Sequence, residues 1–398
     1  MNPSRDTTAR TTTTGTGVTP DVTRLDLGAG WHAAVHHTWE LPAALRARWD
    51  EMALAYGDRG IFLCTGWLQT WWGVFGVGGR LFVAVVSCGE AVRGIFPCWI
   101  APDGRLTGLA NEVYYDFLID AAHRTDTLDR FLEVLARSRY TRADLPYLSR
   151  LEVGGAAIQE RLRRHRYRFW TWEQSYGPKV DVTKPTWEAT EATFHSRLRN
   201  SLKKGRRRAE KEGLLTFEEV RDPGALDAVL DEAFAVEGSG WKAERGTAIR
   251  LNPEKAAWYR GISRWAARRG VLRVYLLRLN GRLIAFDLDI ESGRTLFALK
   301  TGYDEQVATR FSAGNLMRCE VLKLAHARPD THLYDFLGET FPWKLEWTPD
   351  ADVCTDIFFY PPTVAGWTRY VRQYGWKQPL KRSGQLVRFI RSFRISRT

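Results

Sequence analysis

The 398-residue chain carries 58 Lys and Arg against 46 Asp and Glu, a net charge of +12, and 44% of its residues are hydrophobic. These are the proportions of a globular protein long enough for two domains of ~150 residues each. No run approaches the ~20 apolar residues of a membrane-spanning helix, which excludes an integral helical membrane protein, and the positive excess points to an anionic partner: nucleic acid, a phosphorylated cofactor or an acidic lipid surface.

Residues 1–24 are rich in Thr and lack an apolar core, so they read as a disordered tail rather than a secretory signal. Apolar residues at Leu41, Leu45, Trp49, Met52 and Leu54 predict an amphipathic helix, and a second helix is predicted over Gly66–Phe75. Two apolar strands, Arg80–Val86 and Ala91–Ala101, flank a Gly89 turn. A helix over Asp126–Arg139, a strand near Ser149–Val153, a helix over Ala156–His165 and strands at Tyr167–Thr171 and Gly177–Val182 complete this half. Arg197 to Lys211 then reads as a strongly basic helix with Phe194, Leu198 and Leu202 inward and Gly213 as its stop.

The second half has clearer periodicity. Strand Leu215–Val220 leads to helix Ala225–Glu237, broken by Gly238-Ser239-Gly240, and helix Pro253–Arg269 follows. Three strands come next, Leu272–Leu279, Arg282–Ile290 and Thr295–Thr301, with Asn280-Gly281 as a two-residue hairpin turn. A loop over Gly302–Phe311 precedes helix Gly314–Ala327, then strands Leu333–Leu337 and Val353–Tyr360. After Asp356 the chain holds basic residues and no acids. Leu386, Phe389, Ile390 and Phe393 recur there at helical spacing, which suits docking on the protein's own core, a polyanion or a lipid surface.

The eight histidines form no HxxxH or HExxH pattern, and the five cysteines form no CxxC pair, so no metal site and no disulfide scaffold are expected. A reduced, cytoplasmic setting is the expectation, with peripheral contact at the inner face of a membrane as an option. The Gly-containing stretch Ser312–Leu316 opens a helix, where unpaired amides and the positive dipole end favour an anion; Arg310 would add a charged contact. The plainer reading is that Ser312 caps the helix.

Four segments carry a family resemblance: Lys300-Thr301-Gly302-Tyr303, Phe311-Ser312-Ala313-Gly314-Asn315-Leu316, Tyr334-Asp335-Phe336-Leu337-Gly338, and Trp343-Lys344 with Trp347. With the element order they resemble GNAT N-acyltransferases of the CelD-like and FemABX-like branch, in which two GNAT-like halves are fused. The resemblance implies a mixed α/β fold, largely antiparallel sheets with flanking helices. It divides the chain into a degenerate half over 25–183, an acyltransferase half over 184–362 and a basic segment over 363–398.

It also implies roles. Arg310, Ser312, Ala313, Gly314 and Asn315 would hold the pyrophosphate of coenzyme A, although Ala313 and Asn315 stand where the family's Q/R-x-x-G-x-G/A signature has Gly. Asp335 would be the general base or a buried structural carboxylate, with Glu339 as the alternative base and Tyr303 as proton donor to the leaving group. Lys300 would polarise a carbonyl or pair with an acid, and Lys344 would bind an anion or snorkel along aromatic rings. Glu237, Trp241 and Tyr115 would line the acceptor pocket. The implied reaction is direct transfer from acyl-CoA to a small-molecule amine. The alternatives are an aminoacyl-tRNA donor and a non-catalytic protein at an anionic membrane surface.

Overall fold

The computed structural model describes residues 21–110, 113–149, 155–220, 223–239 and 248–375. A hairpin, β1 (Val22–Gly28) and β2 (Trp31–His36), precedes helices α1 (Ala43–Ala55) and α2 (Thr65–Phe75). Strands β3 (Arg80–Cys88), β4 (Ala91–Ile100), β5 (Arg105–Gly108) and β6 (Leu118–Ile119) follow, then α3 (Arg124–Ala136), β7 (Arg142–Ser149), α4 (Gly155–Arg164) and β8 (Arg168–Tyr176). Next come β9 (Lys179–Asp181), α5 (Trp187–Ala192), α6 (Ser196–Glu212), β10 (Leu215–Val220), α7 (Leu226–Glu237) and α8 (Pro253–Arg268). The antiparallel run β11 (Leu272–Leu279), β12 (Arg282–Ser292) and β13 (Thr295–Tyr303) leads through α9 (Glu305–Phe311) and α10 (Ala313–His326) to β14 (Leu333–Asp335). The short α11 (Pro342–Leu345), β15 (Asp352–Tyr360) and α12 (Val364–Tyr370) complete the order.

Two sheets result. The first runs β1-β2-β3-β4-β5-β7-β15-β8, with β6 beside β4; the second runs β10-β11-β12-β13-β14-β9. The halves therefore interlock. β15, late in the chain, pairs with β8 along its whole length, while β9 closes the edge of the second sheet against β14. The expected division at 183/184 does not follow the sheets, because β9 pairs with β14 and β15 with β7 and β8 across it.

Other expectations also shift. Residues 22–24, grouped with the tail, are the start of β1. The strand expected at 149–153 is β7, which lies at 142–149; most of the expected span falls outside the described residues. The expected loop 302–311 contains α9, because the Asp304 side chain accepts from the Gln306 and Val307 amides and so caps a helix.

The tryptophan-rich segments explain themselves at the junction. α2 packs on α8, and a Cβ on Gly66 would lie 1.9 Å from the Trp265 indole nitrogen. Trp67 meets Trp258 and Trp265 edge-on, and Phe62 of the first half meets Phe297 of β13 at 5.0 Å. One apolar core thus spans both halves, which fixes their relative placement.

Candidate functional site

β13 and β14 pair in parallel for only three residues, ending at Phe297 opposite Asp335. Beyond that point β13 continues to Tyr303 beside β12 alone, and the chain after β14 turns away, the Phe336 amide donating to Pro178. The β12–β13 register also slips between Leu288/Asp289 and Lys300/Ala298, a bulge that re-aims side chains where the strands part. Parted strands leave backbone groups free to receive a ligand in the middle of a sheet.

The expected residues divide around this parting. Asp335 sits at its root, 2% exposed; Oδ2 accepts from the Tyr114 hydroxyl at 2.7 Å and Oδ1 from the Leu337 amide at 2.7 Å. Burial pushes its carboxyl up, while Tyr114, Arg59 and Lys179 pull it back. Glu339 follows the left-handed Leu337-Gly338 turn and reaches Tyr147 across the junction at 3.5 Å. Lys344 donates to the carbonyls of Leu337 and Glu339, and burial lowers its ammonium to about 8. Its Nζ lies over the Phe341 and Trp343 rings at 5.5 and 5.6 Å.

Tyr303 is elsewhere. It lies six residues along β13 from Phe297, ~20 Å of extended chain from Asp335, with its ring against Gly314. Lys300 is on the α7–α8 side, its Nζ donating to Glu237 at 3.0 Å; Glu237 also accepts from the Ile249 amide. Of the two readings of Lys300, pairing with an acid is the one the structure contains. Trp241 lies outside the described residues. Tyr115 does not face the parting: it is buried in the first half, its hydroxyl donating to the Pro97 carbonyl. Its neighbour Tyr114 reaches Asp335 instead.

The start of α10 differs from a glycine loop of free amides. The Ser312 carbonyl accepts from the Asn315 and Leu316 amides, and Ala313 and Gly314 are buried. Gly314 is required by packing, since a Cβ there would lie 2.7 Å from the Tyr303 ring. The open surface beside it is a cleft lined by Arg197, Lys204 and Arg208 of α6, Ser201, Arg310 and Ser312. Of the residues expected to hold the pyrophosphate, Arg310 and Ser312 line it; Ala313, Gly314 and Asn315 do not. Gly205 of α6 lets the helix close on the Phe311 carbonyl, where a Cβ would come within 2.2 Å. Four cations with two hydroxyls make a set suited to phosphate.

Sequence reasoning missed a buried group between β12 and α10. Asp287 and Asp289 alternate onto one face of β12, fully buried, and the charge of Arg318 on α10 acts on both. Arg318 donates to Thr301 and lies 4.7 Å over the Trp343 ring and 5.2 Å over Phe336, at the wall of the parting. Burial raises both carboxyls, Asp289 further through the charge of Asp287, while Arg318 opposes the rise. Two acids two residues apart in the otherwise apolar run Leu283–Ile290 were the available signal. Among the described residues no cluster of three or more His, Cys, Asp or Glu could hold a metal, and no helix is long and apolar enough to cross a membrane.

Residues 196–345 match the family described as the Acetyltransferase (GNAT) domain, a span that holds β13, α10, β14 and the basic cleft. Residues 196–345 therefore carry a GNAT domain, and the fold of the whole chain is like that of proteins built from two GNAT-like halves. The crystal structure of FemX superposes with a TM-score of 0.54 at 12% identity, over 79% of this chain and 96% of that one. A tandem GNAT protein from the clavulanic acid biosynthesis pathway gives 0.50 at 11%, over 84% and 99%. A conserved protein of unknown function from Bacteroides thetaiotaomicron gives 0.51 at 11%, over 80% and 98%. At these identities the likeness is one of fold. No curated protein matches the chain.

Proposed function

We propose that the protein moves an acyl group from an acyl-coenzyme A type thioester to an amine by direct attack, without a covalent enzyme intermediate. The observation that carries this reading is the parting of β13 and β14 at a bulge, with a four-cation cleft at the start of the helix that follows β13. The donor's phosphates would lie in the cleft, against Lys204, Arg208, Arg310 and Ser312, and its thioester would reach the parting. The amine nitrogen adds to the carbonyl carbon, the carbon–sulfur bond breaks, and the amine's proton passes to a protein carboxylate while the thiolate leaves. Asp335 already accepts two hydrogen bonds, so Glu339, exposed where the halves meet, is the base this geometry favours. Asp335 would then act by holding Tyr114 and the Leu337 turn.

A second reading has its own support. α6 exposes Arg197, Lys203, Lys204, Arg207, Arg208 and Lys211, more charge than one pyrophosphate needs, which suits an aminoacyl-tRNA donor. Titration calorimetry with coenzyme A and a test for ribonuclease-sensitive absorbance in the purified protein separate the two. We expect coenzyme A to bind, and Lys204→Glu with Arg208→Glu to weaken it about tenfold or more as salt-sensitive contacts are lost. Co-purifying tRNA with no coenzyme A binding would replace the first reading with the second. Glu339→Gln should lower turnover by ~10²-fold while Asp335→Asn costs less; the reverse order makes Asp335 the base.

A further inference from the structure

We propose that α12 and the adjoining edge of the first sheet form a docking face for an anionic lipid bilayer. This face is separate from the reading above and does not depend on it. It lies at the Tyr360 end of β15, whereas Asp352 at the other end pairs with Arg59 and Lys179 beside the junction.

α12 is held by one side. Tyr370 packs on Tyr360 at 5.7 Å, and Tyr374 just beyond stacks on Trp170 of β8 at 5.2 Å. Gly366 brings the helix onto the Pro361 carbonyl, where a Cβ would come within 2.1 Å. Its exposed side presents Val364, Trp367 and Val371, at spacings of three and four, 84%, 50% and 41% exposed. Trp172, two residues from Trp170 and so on the same face of β8, is 43% exposed. Among the described residues nothing covers this stripe of two valines and a tryptophan.

Charge selects the occupant. Arg369 and Arg372 of the same segment are exposed and make no ion pair among the described residues. With Arg105 and Arg142 they line one cleft beside the helix. The chain that continues from this point, residues 376–398, adds Lys377, Lys381, Arg382, Arg388, Arg391, Arg394 and Arg397 and no acid. It interleaves them with Trp376, Leu386, Phe389, Ile390 and Phe393. Cations with interleaved aliphatic and aromatic residues match a headgroup layer over acyl chains. A nucleic acid would use the arginines and leave Val364, Trp367 and Val371 in water.

The test is co-sedimentation of the full chain with vesicles of phosphatidylcholine alone and with about a third phosphatidylglycerol, at low and physiological salt. Binding should appear on the anionic vesicles and be at least tenfold weaker on the neutral ones. Arg369→Gln with Arg372→Gln should weaken it about tenfold, and Val364→Ser with Trp367→Ser by a similar factor, with unchanged thermal unfolding because these side chains are exposed. Loss on charge removal alone, with the apolar variant binding as before and duplex RNA competing, would overturn the proposal in favour of a nucleic-acid surface. No binding to either vesicle would overturn it outright.

Discussion

The two halves contain the same three-residue parallel pairing. β5 lies beside β7 over Arg105–Thr107, with α3 as crossover, and β13 lies beside β14 over Thr295–Phe297, with α10 as crossover. Past this pairing both sheets part, and they differ in what fills the gap. In the first half Tyr115 bridges to Leu148, and its ring lies where a Cβ on Gly108 would fall, at 2.5 Å. The approach to α3 carries Asp120, ion-paired with Arg93, so an anion has no welcome there. In the second half the walls are Arg318, Trp343 and Lys344, and the approach to α10 carries four cations. Topology opens the sheet twice; side chains close one opening and charge the other. Tyr115, expected to contact substrate, is instead buried where the first sheet parts and fills that gap.

The sharpest way to break this comparison is Arg318→Met. Removing the guanidinium leaves Asp287 and Asp289 buried without their cation, and should cost ~3–5 kcal/mol in urea unfolding. Adding Asp287→Asn and Asp289→Asn should recover much of that loss. Because burial raises both carboxyls, their contribution is favourable below the usual carboxylate range and is lost as pH rises through the raised folded values. The Asn pair should flatten that decline. An Arg318→Met protein as stable as the parent would mean that charge does not hold this wall.

Tyr115→Ala comes next, at ~2–4 kcal/mol for an emptied aromatic site, with donor affinity unchanged. Weakened coenzyme A binding in a folded Tyr115→Ala protein would reopen the first half as part of the site.

The smallest effect concerns Lys344. Its folded value is lowered to about 8 from 10.5, so the unfolded chain binds more protons between these values and stability should climb as pH rises from about 8. Lys344→Met should remove that climb, a difference of ~1–2 kcal/mol at pH 9 relative to pH 7. Parallel stability profiles for parent and variant would place the lysine in water rather than against the Leu337 and Glu339 carbonyls.

Much of the second half was legible in the residues. β10 and β11 fall where strand periodicity puts them, and Asn280-Gly281 turns β11 into β12 as that dipeptide requires. The basic helix was legible because eight cations against one acid over Arg197–Lys211 have no other local reading. The site was legible in part: Arg310 and Ser312 meet in one cleft, and Asp335 ends the strand where the sheet opens. Asp287 and Asp289 were passed over because a carboxylate within a strand is read from sequence as solvent-facing, and only packing under α10 shows otherwise.

By itself, then, the sequence determined the local alternation of elements, the GNAT-like second half, and the basic character of α6 and the chain's end, since each depends on spacing and composition within a few turns. The tertiary structure decided the rest. Long-range pairing exchanged β9 and β15 between sheets, and placed Tyr114 rather than Tyr115 on Asp335. It set Tyr303 at the end of β13 away from Asp335 at the end of β14, and brought the charge of Arg318 to bear on two buried acids. Such contacts join residues tens to hundreds of positions apart, and their energies come from desolvation and packing that exist only once the sheets have met.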